Sequence, residues 1–153
     1  MTLKLYLDSN VVIDAVVNRG ADHEQAKLTI ALGLVGEFDL WTSPAQWTDI
    51  FYILSEGGKK SRAEAALATM RELRKSIRLA TIGESEIDLA MALDWPDFED
   101  AVAYTAARTV KPLAIVTQNK RDFTRSDLPV FTCEELFEWI SREHGVRYAE
   151  ISL

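Results

Sequence analysis

Five aspartates, Asp8, Asp49, Asp97, Asp100 and Asp122, carry the chemistry that this 153-residue sequence offers most readily. Carboxylates are hard oxygen donors suited to Mg²⁺ or Mn²⁺. Several held together repel one another, and a divalent cation relieves that repulsion. Such an ion can lower the pKa of a bound water and brace charge on a phosphoryl oxygen, which points to metal-assisted phosphoryl chemistry. Taken singly, each acid also has a structural reading. Asp8 fits a helix cap, Asp97 an N-cap with Asp100 as its capping-box partner, and Asp122 an Asx-turn. Asp49 lies between Trp47-Thr48 and Ile50-Phe51, an apolar setting in which a carboxylate needs a partner. Other mechanisms find little support. The two histidines, His23 and His144, are expected on exposed helical surfaces, and the sequence has no G-x-S-x-G elbow, H-E-x-x-H pair or Gly-rich phosphate loop.

The elements that must position these acids follow from hydrophobic spacing. Leu3, Leu5 and Leu7 alternate with Lys4 and Tyr6, so residues 3–7 read as a strand that ends at Asp8 and turns into a helix. Further strands are expected over 38–41, 78–81, 113–117 and 130–131. Helices are expected over 22–36, 44–55, 62–76, 85–93, 98–109 and 132–144. Their start signals are Asp22 with Gln25, Ser43 before Pro44, Ser61 with Glu64, and Thr132 with Glu135. The tail, 146–153, reads as a terminal strand or an oligomer contact. Strands separated by helices predict a three-layer α/β/α fold with a central parallel sheet and helices on both faces. In a parallel sheet all strand C-termini share one edge. Asp8 after the first strand, and Asn119 and Asp122 after the fourth, therefore fall on one rim. Asp100 starts the helix that precedes that fourth strand, with Asp97 on the same face, and Asp49 lies one to two turns into the helix after the second.

Composition narrows the class. A single compact domain over 1–153 is expected, with ordinary apolar and charged content. No run approaches a membrane span or a signal core, and the lone Cys133 suits a reducing compartment, so a cytoplasmic location is expected. The net charge of −7 is the wrong sign for holding nucleic acid by bulk electrostatics, so any such contact needs a local basic patch. Lys120, Arg121 and Arg125 adjoin the acids and are the substrate-binding candidates. Trp47 and Trp95 read as core or rim residues rather than base-stacking platforms.

Four segments together resemble the PIN domain, the metal-dependent ribonuclease fold of VapC-type toxins. They are Leu5-Tyr6-Leu7-Asp8-Ser9-Asn10, Thr48-Asp49-Ile50-Phe51-Tyr52-Ile53-Leu54, Asp97-Phe98-Glu99-Asp100-Ala101, and the run from Ile115 through Thr117-Gln118-Asn119 to Asp122-Phe123. The resemblance implies that Asp8 is the first metal-binding acid, Asp100 the third and Asp122 the acid of the last motif. Asp49 stands where the family usually has glutamate, one methylene shorter in reach. Asp97 is an additional or alternative ligand, and Glu99 is expected to point away from both neighbours. Asn119, with Thr117 and Asn10, is expected to shape the site. The resemblance also implies Mg²⁺ or Mn²⁺, an RNA substrate, a homodimer and a small antitoxin. The helices starting at Ser43 and Ser61, with Trp47, Phe51 and Leu54, offer a groove for an antitoxin helix. Two alternatives stay open: a catalytically weak PIN-like domain that binds RNA or protein, and a phosphatase of the haloacid-dehalogenase type. The latter would need a second acid where Asn10 stands.

Overall fold

A computed structural model describes residues 2–148. Five strands form one parallel sheet: β1 (Leu3–Leu7), β2 (Phe38–Thr42), β3 (Ile77–Leu79), β4 (Ala114–Val116) and β5 (Val130–Phe131), in the order β3-β2-β1-β4-β5. The helices are α1 (Ser9–Val16), α2 (His23–Leu34), α3 (Pro44–Leu54), α4 (Lys60–Leu73), α5 (Glu84–Leu93), α6 (Phe98–Val110) and α7 (Cys133–His144), with a 3-10 turn over Lys120–Phe123. The expected three-layer α/β/α fold is the one observed.

Alternation along the central strands explains the layers. Leu5 and Leu7 of β1 and Val116 of β4 point into one core, with Val11 and Val12 of α1, Ile50 of α3, Leu73 of α4 and Leu136 of α7. Tyr6 and Ile115, the intervening residues, point into a second core with Ala103, Ala106 and Ala107 of α6. Both central strands are thus covered on both faces, which is why the 113–117 run reads as unbroken apolar sequence. The small side chains of α6 let that helix lie close on the sheet. β1 lies between β2 and β4, so the chain builds outward on one side and then crosses to the other. The crevice at this reversal opens between the C-terminal ends of β1 and β4, where Asp8 and Thr117 begin their loops. Pairing of Leu7 with Val116, and the bond from Asp8 N to Val116 O at 2.9 Å, set those two residues side by side.

Several local expectations are corrected. The third strand lies at 77–79 rather than 78–81, because the fully buried Ile77 belongs to it. Asp22 makes no capping bond to α2; its own φ and ψ of −85° and −6° are helical, and a cap needs extended backbone. Ser61 does not cap α4 either. Lys59, with φ −64° and ψ 125°, occupies the cap position without a side-chain bond, and Ser61 lies inside the first turn. Ser43 and Thr132 do cap, accepting from the N–H groups of Gln46 and Glu135. His144 is exposed as expected, whereas His23 is half-buried with Nδ1 2.7 Å from the Asp14 carbonyl. In the tail, 146–148 forms no strand, and Tyr148 packs edge-on against Phe38 and Phe137. The rest of that expectation, 149–153, lies outside the described residues.

These caps give a paired prediction. Thr132→Ala should cost about 1 kcal/mol in chemical denaturation, whereas Ser61→Ala should stay within about 0.5 kcal/mol of the parent. Equal losses would contradict the assignment of Lys59 as the α4 cap.

Candidate active site

Asp8 is the most constrained side chain at the crevice. It is 7% exposed, and its two oxygens receive three donors. Ser9 N lies 2.9 Å and Gln46 Nε2 2.7 Å from Oδ1, and Thr117 Oγ1 donates to Oδ2 at 2.8 Å. A carboxylate has about four acceptor positions, so these bonds leave it room for one more ligand. Burial pushes the Asp8 pKa upward, with the Asp122 carboxylate adding to the rise, while the donors from Thr117, Ser9 and Gln46 oppose it. Asp8 is also the N-cap of α1, accepting from Ser9 N; neither Ser9 nor Asn10 takes that role. The capping bond uses one acceptor position of this aspartate and leaves the open one untouched.

Gln46 is the residue that sequence reasoning missed. It was legible only as the third residue of α3, the position that Ser43 caps. In the structure it is buried, and its Oε1 accepts from the Tyr6 hydroxyl and lies 3.0 Å from Thr42 Oγ1. With Oε1 facing these hydroxyls, Nε2 must face Asp8. Tyr6 is fully buried on the same strand as Asp8, so the arrangement locks the amide from behind. The only signal in the sequence was a polar residue one turn ahead of Asp49 on a helix after a strand end.

On the other side, Thr117 Oγ1 lies 3.3 Å from Asn10 Nδ2 and 3.1 Å from Asn119 N. Asn10 Oδ1 accepts from Gln118 N at 3.2 Å, and Asn119 Nδ2 donates to Asp122 Oδ2 at 3.0 Å. Asn10, Thr117 and Asn119 thus tie Asp8 to Asp122. Asp122 is half-buried in the 3-10 turn and is held by Asn119 rather than by an Asx-turn of its own.

The remaining acids divide into two groups. Asp97 caps α6, accepting from Asp100 N at 3.0 Å. Asp100, half-buried, is pushed up to about 7, first by desolvation and then by the carboxylates of Asp122, Asp97 and Asp8. Burial and Asp97 likewise raise Asp122, against the donor from Asn119 and the charge of Arg121. Asp8, Asp97, Asp100 and Asp122 therefore share one field. Asp49 is raised by burial and by Asp97, and Glu99 mainly by Asp49. Asp97 is thus the charge that acts on Asp49, and Asp49 and Asp97 are the charges that act on Glu99. Among the described residues no three acids, histidines or cysteines stand in a metal-holding arrangement as positioned. A cleft of about 240 Å³ opens beside the group, lined by Asp97, Asp100 and Asp122 together with Trp95, Pro96, Arg121, Thr124 and Arg125. Lys120 is turned away to Glu135, 3.0 Å from its Nζ.

Comparison with known proteins gives the following. A family profile described as "PIN domain" matches residues 4–121. Ribonuclease VapC1 of Aquifex aeolicus is 29% identical over 140 residues, covering 88% of this chain and 94% of that protein. Among solved structures, VapBC2 from Rickettsia felis, bound to a promoter DNA fragment, superimposes with a TM-score of 0.62 at 14% identity, over 84% of this chain and 97% of that one. VapC20 of Mycobacterium tuberculosis, described as a sarcin-ricin loop cleaving toxin, gives 0.55 at 17% identity, over 72% and 86%.

Two predictions rest on this geometry. Gln46→Leu removes the acceptor of the Tyr6 hydroxyl and one of the two donors to Asp8 Oδ1, and should lower stability by about 1–3 kcal/mol in urea unfolding; a loss below about 0.5 kcal/mol would contradict the buried network. The second concerns pH. Folded Asp100 keeps its proton up to about 7, whereas the unfolded chain releases it near about 3.9. Between those values the folded state binds more protons, so with divalent ions chelated, stability should fall as pH rises from about 4 to about 7. Asp100→Asn should flatten that decline, and an unchanged slope would count against the shared field.

Proposed function

This chain belongs to the PIN-domain family, and on that premise we propose that it is a metal-dependent endoribonuclease, the toxin of a toxin–antitoxin pair. The observation that carries the proposal is the gathering of acids at the reversal point of the sheet, where the carboxylates of Asp8, Asp97 and Asp122 all act on Asp100. Similarity to the ribonuclease VapC1, and to the VapBC2 and VapC20 structures, supports the same reading.

The donor set fits a hard divalent cation. It is all oxygen, it is partly desolvated, and the proton that Asp100 retains to about 7 marks charge in need of compensation. Asp8, Asp100 and Asp122 would hold Mg²⁺ or Mn²⁺, with Asp97 as an additional ligand and Asp49 reaching it from the edge. The ion, when bound, activates water and offsets charge on the phosphoryl oxygens. Asp8 contributes a fixed orientation, because three donors leave one direction open. Asp100 has no side-chain hydrogen bond among the described residues and can turn toward Asp8 and Asp122. Asn119 restrains Asp122. Arg121 and Arg125 border the cleft and draw phosphate toward it, whereas Lys120 is spent on Glu135 and contributes at longer range. Asn10, which a haloacid-dehalogenase-type phosphatase would need as a second acid, is committed to Thr117 and Gln118 N.

An antitoxin and a second copy of the chain are the proposed partners. α3 leaves Tyr52 60% and Ile53 45% exposed, apolar area of the kind a partner covers. No helix among the described residues is long and apolar enough to cross a membrane.

Cleavage of a labelled RNA tests the proposal. Asp8→Asn should lower the Mn²⁺-dependent rate by on the order of a hundredfold or more, and chelation should abolish it. Cleavage by the variant at the parental rate would overturn the assignment.

A further inference from the structure

The two oxygens of Asp8 are not equivalent. Oδ1 receives two donors, Ser9 N at 2.9 Å and Gln46 Nε2 at 2.7 Å. Oδ2 receives one, the Thr117 hydroxyl at 2.8 Å. A carboxylate has about four acceptor positions, two on each oxygen, so Oδ1 is filled and the open position belongs to Oδ2. Of the donors on Oδ1, Ser9 N belongs to the α1 cap and comes with the backbone turn. Gln46 is the added one, brought from the first turn of α3, 38 residues along the chain.

Several buried groups hold that donor in place. Gln46 is 5% exposed, and Tyr6, Thr42 and Ser43 around it are fully buried. The Tyr6 hydroxyl donates to Gln46 Oε1, and the hydroxyl oxygens of Thr42 and Ser43 lie 3.0 and 3.5 Å from the same atom. A flipped amide would lose the Tyr6 bond and set an oxygen against Asp8. Gln46 shares the buried side of α3 with Ile50, where packing alone would favour a second apolar residue.

A carboxylate with one oxygen filled discriminates between cations. Ca²⁺ takes about six to eight oxygens in flexible geometry and accepts both oxygens of one carboxylate. Mg²⁺ and Mn²⁺ favour octahedral oxygen sites, in which one oxygen from a carboxylate suffices.

We propose that Gln46 is a positioning residue that sets cation choice: by occupying Asp8 Oδ1 it leaves Oδ2 alone to the ion, and so favours Mg²⁺ or Mn²⁺ over Ca²⁺. The inference rests on the metal-dependent reading above and adds to it what selects the metal.

Calorimetric titration of Mn²⁺ and of Ca²⁺ into the metal-free full chain tests this, with the ratio of the two affinities as the readout. The parent should prefer Mn²⁺ by at least about tenfold. Gln46→Met keeps the length of the side chain without its donor. It should lower Mn²⁺ affinity on the order of tenfold and Ca²⁺ affinity less, so that the ratio falls at least about threefold. Gln46→Leu should act in the same direction. Thr117→Val removes the donor to Oδ2 but leaves Oδ1 filled, and should weaken both ions with the ratio within about twofold of the parent. Circular dichroism should show the variants folded, and the parental ratio tests the inference even where one does not fold. A purely structural role for Gln46 would lower both affinities together. A ratio unmoved in both Gln46 variants, an equal fall in Thr117→Val, or a parent that binds Ca²⁺ as tightly as Mn²⁺ would overturn the inference. If the parent binds neither ion, the metal-dependent reading fails and the inference with it. If Mn²⁺ binding needs Asp8 but the ratio ignores Gln46, the inference alone fails. If the ratio follows Gln46 but no RNA is cleaved in Mn²⁺, the inference stands and the nuclease assignment fails.

Discussion

A buried carboxylate is costly unless donors surround it, and Asp8 is where this protein meets that constraint. Three hydrogen bonds reach its two oxygens from three parts of the chain: the first turn of α1, α3 through Gln46, and the end of β4 through Thr117. Two of these donors are themselves held from behind, Gln46 by Tyr6 and Thr117 by the bond from its own N–H to the Phe131 carbonyl of β5. The packing of two layers on the sheet and the orientation of one carboxylate are in this way the same problem. The acids that gather around Asp8 add repulsion that the apolar packing on both faces of the sheet must offset.

That tension links structure to function. A cluster optimised only for stability would pair its acids with lysine or arginine, and here the nearby cations stand at the cleft rim or turn aside. Arg121 moderates Asp122 and forms no ion pair among the described residues, and Lys120 is taken by Glu135. Negative charge is left uncompensated at a point where ligands bind in α/β folds. A site of this kind gains from a divalent cation both the missing countercharge and its chemistry.

The parts of this arrangement that sequence revealed are those governed by simple periodicities. Alternation in 3–7 and the apolar run at 113–117 placed β1 and β4 in the sheet interior, and the shared edge of parallel strands then brought Asp8 to Asp122. Thr132 with Glu135 was legible as a capping box because the residue types and the extended backbone agree. Asp22 and Ser61 carry the same residue types, but local backbone geometry overrides them. Asp22 is already helical. Gly57 and Gly58, at φ +89° and +83°, finish a turn that lets α4 begin a residue before Ser61. Gln46 was hidden for a different reason. Its partners Tyr6 and Asp8 lie 38 to 40 residues away, and only the packing of α3 against the end of β1 brings them together. Asp49 shows the limit of reasoning from helical position: the charge that acts on it is Asp97 and not Asp8.

The central claim is that Asp8, Asp100 and Asp122 act as one cation-holding group. Calorimetric titration of Mn²⁺ into the metal-free protein and into the Asp8→Asn, Asp100→Asn and Asp122→Asn variants tests it most directly. The parent should bind, and each variant should lose affinity at the same site while remaining folded by circular dichroism. Unchanged Mn²⁺ binding in any two of the variants would contradict the claim that the acids form a single site.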